Sequence, residues 1–366
     1  MTASADHDEK LARVVRVAEG AGLGGILLAG HHNIAWLTSG RGNRIDASRE
    51  AGTQRLLITA DGRRFVLANA IEMPRLLAEA LEGLDYQPVE YPWADDQDPS
   101  FAVRKAKEIA GDAIGADWPL PGTTAIEGAI SRARHRLTDA EIARYRALGR
   151  DAGEAVGTLC HTLKPGDDER DIQRGLWDAA ASIRARAIVA LVGSDERLRR
   201  FRHPVPVATT WQRVVMVALC AERDGLVVSL SRIVARHPPP DLLERTRKTA
   251  EVFKRLLDAT RAGATGASLY ATAAEAYAQA GFPGEELKHH QGGAIGYRAR
   301  EWVAHPASQE VVQARQAFAW NPTITGTKIE DTALLIDGRI EMLTGTPGWP
   351  TSDLGDGVRA SNVWPI

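Results

Sequence analysis

Three short runs of this sequence hold residues whose types could do chemistry: Arg202-His203-Pro204-Val205-Pro206, Arg300-Glu301 and Lys328-Ile329-Glu330-Asp331. A histidine titrates near pH ~6.5, so a neutral His203 can accept a proton and return it. A carboxylate such as Glu330 nearby would orient that imidazole or raise its pKa. Together they could activate a water, or protonate a departing nitrogen, without a metal. The structural alternatives are a turn before Pro204 for His203, and a salt bridge with Lys328 or Arg232 for Glu330. Arg300 can grip a carboxylate through two parallel hydrogen bonds, or form a surface pair with Glu301.

Further candidates are more loosely tied. His290 precedes a glycine-rich turn and can line a pocket, although its neighbour His289 shows that a histidine here need not be catalytic. Trp320, beside Asn321-Pro322, reads as a cation-π wall or a core side chain. Ser229, Ser231, Tyr297 and Arg298 are candidate lining residues. His305-Pro306 reads as a loop turn. Arg44 could reach a neighbouring subunit or simply be solvated. Other chemistries find no support. There is no G-x-S-x-G nucleophile motif. The run Gly20-x-Gly22-x-Gly24 follows a helix rather than a strand, the wrong context for a phosphate loop. Cys160 and Cys220 are too few for a disulfide framework or a thiolate metal cage, and Cys220 falls inside an apolar strand.

The chain has 366 residues, enough for about two domains. Its 45 Lys and Arg nearly balance 47 Asp and Glu, for a formal charge of -2. That balance argues against a nucleic-acid or anionic-membrane partner, and so many carboxylates leave a metal hydrolase open. No apolar run approaches the ~18 residues of a membrane span. Residues 1–10 are polar and carry no apolar leader, so a cytoplasmic protein is expected.

Two kinds of organisation would position the candidates. The first part reads as a helix over 8–22 and short strands over 25–29 and 34–37. A hairpin over 54–59 and 64–68 turns at Asp61-Gly62. A helix (71–84), a strand (86–91) and a helix (101–109) follow. The second part opens with a capping box, Thr138-Asp139-Ala140-Glu141, ahead of a long helix to Leu163. A second helix runs from Asp168 to about 183, then strands over 187–192, 214–219 and 226–230. The scheme recurs: helices over 240–260 and 268–280, then strands over 317–321, 329–336 and 339–343. The expected fold is α/β (α+β), with a small domain over 1–133 and a pseudo-duplicated helix–helix–strand domain over 134–366.

Four of these segments, in order and spacing, resemble the creatinase/aminopeptidase P/methionine aminopeptidase family, whose fold is called pita-bread. They are Arg202–Pro206, the strand pair 214–232 turning at Asp224-Gly225, His290-Gln291-Gly292-Gly293-Ala294-Ile295-Gly296, and Asn321-Pro322 with Lys328–Thr332. The resemblance spans the whole chain, including a creatinase-type N-terminal domain. It implies two divalent ions held by two Asp, one His and two Glu, generating a bound hydroxide. The matching positions here are Ala218, Ser229, Gly293, Asn321 and Glu330. Only Glu330 keeps its family identity, and one carboxylate cannot hold two dications. No catalytic metal and no other cofactor are therefore expected.

Within that family, creatinase works without metal. The resemblance to it implies His203 as acid/base, Glu330 as its partner, and Arg49 or Arg300 as a carboxylate anchor. Creatinase's second catalytic glutamate falls at Ser231, so creatine itself is not the expected substrate. Arg300-Glu301 stands where the peptidases carry His-Glu. The resemblance further implies a homodimer whose N-terminal domain completes the partner's site. The main expectation is a metal-independent enzyme cleaving a C–N or similar bond of a small carboxylate-bearing metabolite. The alternatives are a catalytically inactive member that binds a ligand or peptide, and an Xaa-Pro peptidase.

Overall fold

The computed structural model describes residues 3–42, 44–355 and 357–366. Within it the chain divides into two compact units, Met1–Glu141 and Ile142–Ile366.

The N-terminal unit is built on a six-stranded mixed sheet. Its centre is the strand Gly25–Gly30, buried at every position, which pairs antiparallel with Ala51–Thr59 and parallel with Ile114–Ala116. Such a strand must be apolar on both faces, as Gly-Ile-Leu-Leu-Ala-Gly is. The Asp61-Gly62 hairpin forms as expected between Ala51–Thr59 and Arg64–Asn69. Two expected elements differ. Residues 34–37 are not a strand but the end of the helix His31–Leu37, whose seven residues are all buried. A short apolar run is compatible with either state. Tertiary structure decides it, because the buried Asp117 carboxylate accepts hydrogen bonds from the Ala29 and Gly30 amides and the Asn33 side chain. The expected helix over 71–84 is only Met73–Arg75 plus a wide turn, Leu76–Ala80. Pro74 suits a first helical turn but supplies no amide to extend one.

The C-terminal unit repeats one scheme twice, as the sequence pattern implies. Helices Asp139–Thr162 and Glu169–Ser182 precede an antiparallel set, Arg186–Ser194, Val214–Arg223 and Leu226–Ala235. Helices Pro240–Ala259 and Gly266–Gln279 precede Gly292–Ile295, Gln316–Trp320, Asp331–Ile336 and Arg339–Met342, again antiparallel. The capping box closes as expected, with the Thr138 amide on Glu141 Oε2 at 2.7 Å and the Glu141 amide on Thr138 Oγ1 at 3.2 Å. Along the first long helix Gly153 allows close approach, since a Cβ there would lie 2.2 Å from the Gly345 carbonyl oxygen. A core of Phe253, Leu256, Tyr277, Phe318 and Trp320 fills the second half.

The two sheets are stitched together where the site forms. The Ser231 amide donates to the Glu330 carbonyl at 3.0 Å, and the Ser229 amide to Thr332 Oγ1 at 2.8 Å. Strand Leu226–Ala235 thereby runs against the segment carrying Lys328 and Glu330.

Candidate active site

Glu330 is the electrostatic centre of the site. Its side chain is 5% exposed, yet three groups converge on it. Ser231 Oγ donates to Oε2 at 2.7 Å, Lys328 Nζ sits 2.7 Å from Oε2, and Arg300 Nη2 sits 3.2 Å from Oε1. Lys328 and Glu330 are two residues apart in extended chain, hence on one face. Burial alone would raise the Glu330 pKa. The charges of Lys328 and Arg300, with the hydrogen bonds from Lys328 and Ser231, outweigh it and hold the carboxyl down at about 2. Glu330 is thus ionised at any working pH and serves as an anchor rather than a proton carrier.

His203 does not hydrogen-bond to Glu330. Its Nε2 lies 3.0 Å from His289 Nε2, so one of the two rings donates. His289 stacks on His290, with ring centroids 4.5 Å apart and planes at 22°. Burial lowers the pKa of all three rings, and the nearby cations add to it. His289 falls to about 2 and His290 to about 4, both from 6.5. His203 falls too: burial and Lys328 depress it, Glu330 partly offsets them, and Arg300 depresses it further. Glu330 does push the His203 pKa up, as expected, but burial, Lys328 and Arg300 outweigh it and the net shift is downward.

A cavity of about 380 Å³ opens beside these groups. One wall is apolar, formed by Val189, Leu191, Ala218 and Cys220. The cavity is also lined by His203, His290, Arg300, Asn321, Lys328 and Glu330. Asn321 is buried and its Oδ1 has no hydrogen-bond partner, which leaves an acceptor for a ligand N–H or O–H.

The structure brings His203, His290, Arg300, Asn321, Ser231 and Glu330 together and leaves other candidates elsewhere. Trp320 belongs to the core: it is fully buried, parallel to Phe318, with Nε1 donating to Thr260 Oγ1 at 3.0 Å. It does not line the cavity, so its reading as a wall is corrected. Glu301 accepts from the Tyr297 amide at 3.0 Å and braces the turn at Gly296 rather than facing the cavity. Arg49 is exposed in the N-terminal unit and paired with Asp46 at 3.4 Å. Arg232 pairs with Asp331 at 3.0 Å, not with Glu330. His289 is the site residue that sequence reasoning passed over, and Lys328 was read only as an alternative salt-bridge partner of Glu330, a pairing the structure contains. Their signals were the doubled histidine and the two-residue spacing from Lys328 to Glu330.

The residues present do not fit the family's pair of divalent metals. Ala218 and Gly293 offer no ligand atom, and a Cβ at Gly293 would lie 2.1 Å from the Trp302 carbonyl oxygen, so the strand pairing leaves no room for histidine. The one matching carboxylate already binds two cationic side chains. His203, His289 and His290 do present ligand-type nitrogens within 4.8 Å of one another. The positive field of Lys328 and Arg300 that opposes their protonation opposes a dication in the same way.

The fold is that of a pita-bread protein. Residues 143–359, more than half of the chain, match the model of metallopeptidase family M24, and the chain belongs to that family. Among curated proteins no sequence match is found. Among solved structures, the chain is similar to the dipeptidase PepE of Mycobacterium ulcerans, with 19% identity, a TM-score of 0.79 and 99% of each chain covered. It is similar to an Xaa-Pro dipeptidase of Bacillus anthracis, with 19% identity, a TM-score of 0.76, and 98% of this chain and 100% of the other covered. The N-terminal domain of FACT complex subunit SPT16 from chickpea shares the fold at 10% identity and a TM-score of 0.69, covering 93% of this chain and 97% of its own. At such identities the likeness shows the fold alone.

Proposed function

We propose that this member hydrolyses a C–N bond, or a chemically similar one, in a small carboxylate-bearing molecule, with His203 moving the proton and no metal taking part. The observation that carries this reading is the charge balance of the cavity. Lys328 and Arg300 together exceed Glu330 by one positive charge, beside a neutral imidazole and an apolar wall. A substrate carboxylate would take up the surplus through Arg300. Neutral His203 would accept a proton from water as the water oxygen bonds the electrophilic carbon. The C–N bond then breaks and His203 returns the proton to the departing nitrogen. Two paired copies, with Arg49 of one completing the site of the other, belong to the same proposal.

The test is turnover of a panel of N-substituted amino acids and small amides. His203→Ala should lower kcat/KM by about a hundred- to ten-thousand-fold, and chelator should change nothing. Activity abolished by EDTA and restored by Mn would overturn the reading. Family membership favours a second reading, an Xaa-Pro peptidase, because Arg202–Pro206 and the enclosing fold are kept. Cleavage of Xaa-Pro dipeptides by the purified protein would support it.

A further inference from the structure

A second cavity in the C-terminal unit, of about 310 Å³, is lined by four arginines drawn from separate elements. Arg213 precedes strand Val214–Arg223, and Arg236 follows strand Leu226–Ala235. Their pairing sets the two arginines side by side, with the Arg236 amide on the Arg213 carbonyl at 2.8 Å. Neither makes an ion pair among the described residues. Arg199 and Arg245 approach from two helices and share the single carboxylate of Asp241, at 3.7 and 2.8 Å. The Nε of Arg245 is buried without a hydrogen-bond partner.

The acidic residues of this cavity do not cancel the arginines. Asp195 has its oxygens engaged by the amides of Gln212, Arg213 and Val214 at 2.7 to 2.9 Å. Counting Asp195, Glu196 and Asp241 against the four arginines leaves one surplus positive charge. Arginine presents a planar fork of donors that matches the oxygens of phosphate, and four forks from different directions suit a tetrahedral anion better than a flat one.

We propose that this cavity binds a small phosphate compound, and that the active site senses its occupancy. Gly326 lines the cavity at the tip of the hairpin Thr323–Ile324/Thr327–Lys328. The same hairpin carries Lys328, which holds Glu330. At its tip, Thr325 Oγ1 accepts from Arg202 Nη2 at 2.8 Å, and Arg202 is the neighbour of His203. An anion seated on Arg199 and Arg245, which flank Gly326, therefore sits against a hairpin tied to both Glu330 and the neighbour of His203.

The binding is tested without any reaction, by calorimetry of the full chain with pyrophosphate in metal-free buffer. Saturable binding is expected, weakening at least tenfold in the R213A/R236A double variant. R213K/R236K, which keeps the charge but loses the fork, should fall between the two. No saturable binding, or equal binding by wild type and double variant, overturns the site. Citrate bound as tightly as pyrophosphate overturns the preference for phosphate. The coupling is read by NMR of the histidine side chains. Pyrophosphate should shift the His203 signals in the wild type and not in Thr325→Val, which still binds. Unmoved His203 signals in the pyrophosphate-saturated wild type overturn the coupling.

Discussion

Glu330 shows how a buried charge is tolerated: three donors replace the water it loses. Removing only the charge should do harm, because Lys328 and Arg300 would then face each other unopposed. Glu330→Gln is expected to destabilise the chain by about 3–5 kcal/mol in urea denaturation, the range for breaking a buried ion pair from one side. A loss under 1 kcal/mol would mean that solvent already screens the site. For His203 the depressed pKa fixes the shape of the activity profile. The base must be neutral, so kcat/KM should rise with pH to a plateau that begins below the ordinary histidine value of 6.5. Lys328→Met removes a cation that depresses it, so the acid limb should move to higher pH. A limb that stays in place would assign it to another group.

Among the elements, the strand Gly292–Ile295 has little freedom. It lies between Trp302–Val303 and Gln316–Trp320, and Gly293 faces a carbonyl that any Cβ would strike. Placing a histidine there by Gly293→His should therefore not create a metal site. It should lower stability by at least about 3 kcal/mol, the upper end for overpacking, with no gain in bound metal by elemental analysis. The first long helix makes a similar demand at Gly153. Gly153→Ala gains helix propensity of up to about 1 kcal/mol yet should still destabilise, because Gly345 backbone occupies the space. A stabilised Gly153→Ala protein, measured by thermal melting, would show that the segment at Gly345 can move away.

For the whole molecule, His289, which is buried, and its exposed neighbour His290 set the acid limit. His289 and His290 titrate at about 2 and about 4 in the fold, against 6.5 when unfolded. Below pH 6.5 the unfolded chain binds more protons, so stability falls as pH drops. Glu330 adds to the loss between 4.5 and about 2, where the unfolded carboxyl protonates first. His289→Gln should flatten the decline in stability from pH 6.5 to 4, measured by denaturant midpoints. An unchanged slope would place the acid sensitivity elsewhere. No helix among the described residues is long and apolar enough to cross a membrane.

Much of the architecture was legible in the sequence, because hydrophobic period, capping and turn residues act locally. The helix opening at Thr138, the hairpin at Asp61-Gly62 and the two helix–helix–strand blocks follow from such signals. That Ala218 and Gly293 carry no ligand atom is legible too, since a residue's identity fixes what it can bind. Local pattern could not tell a buried helix at His31–Leu37 from a strand, because Asp117, which secures it, lies far along the chain. Nor could it reveal that Arg300 joins Lys328 on Glu330, that His289 rather than Glu330 meets His203, or that four arginines line one cavity. Those facts depend on how separate sheets and helices are set against one another, and only the tertiary packing fixes that.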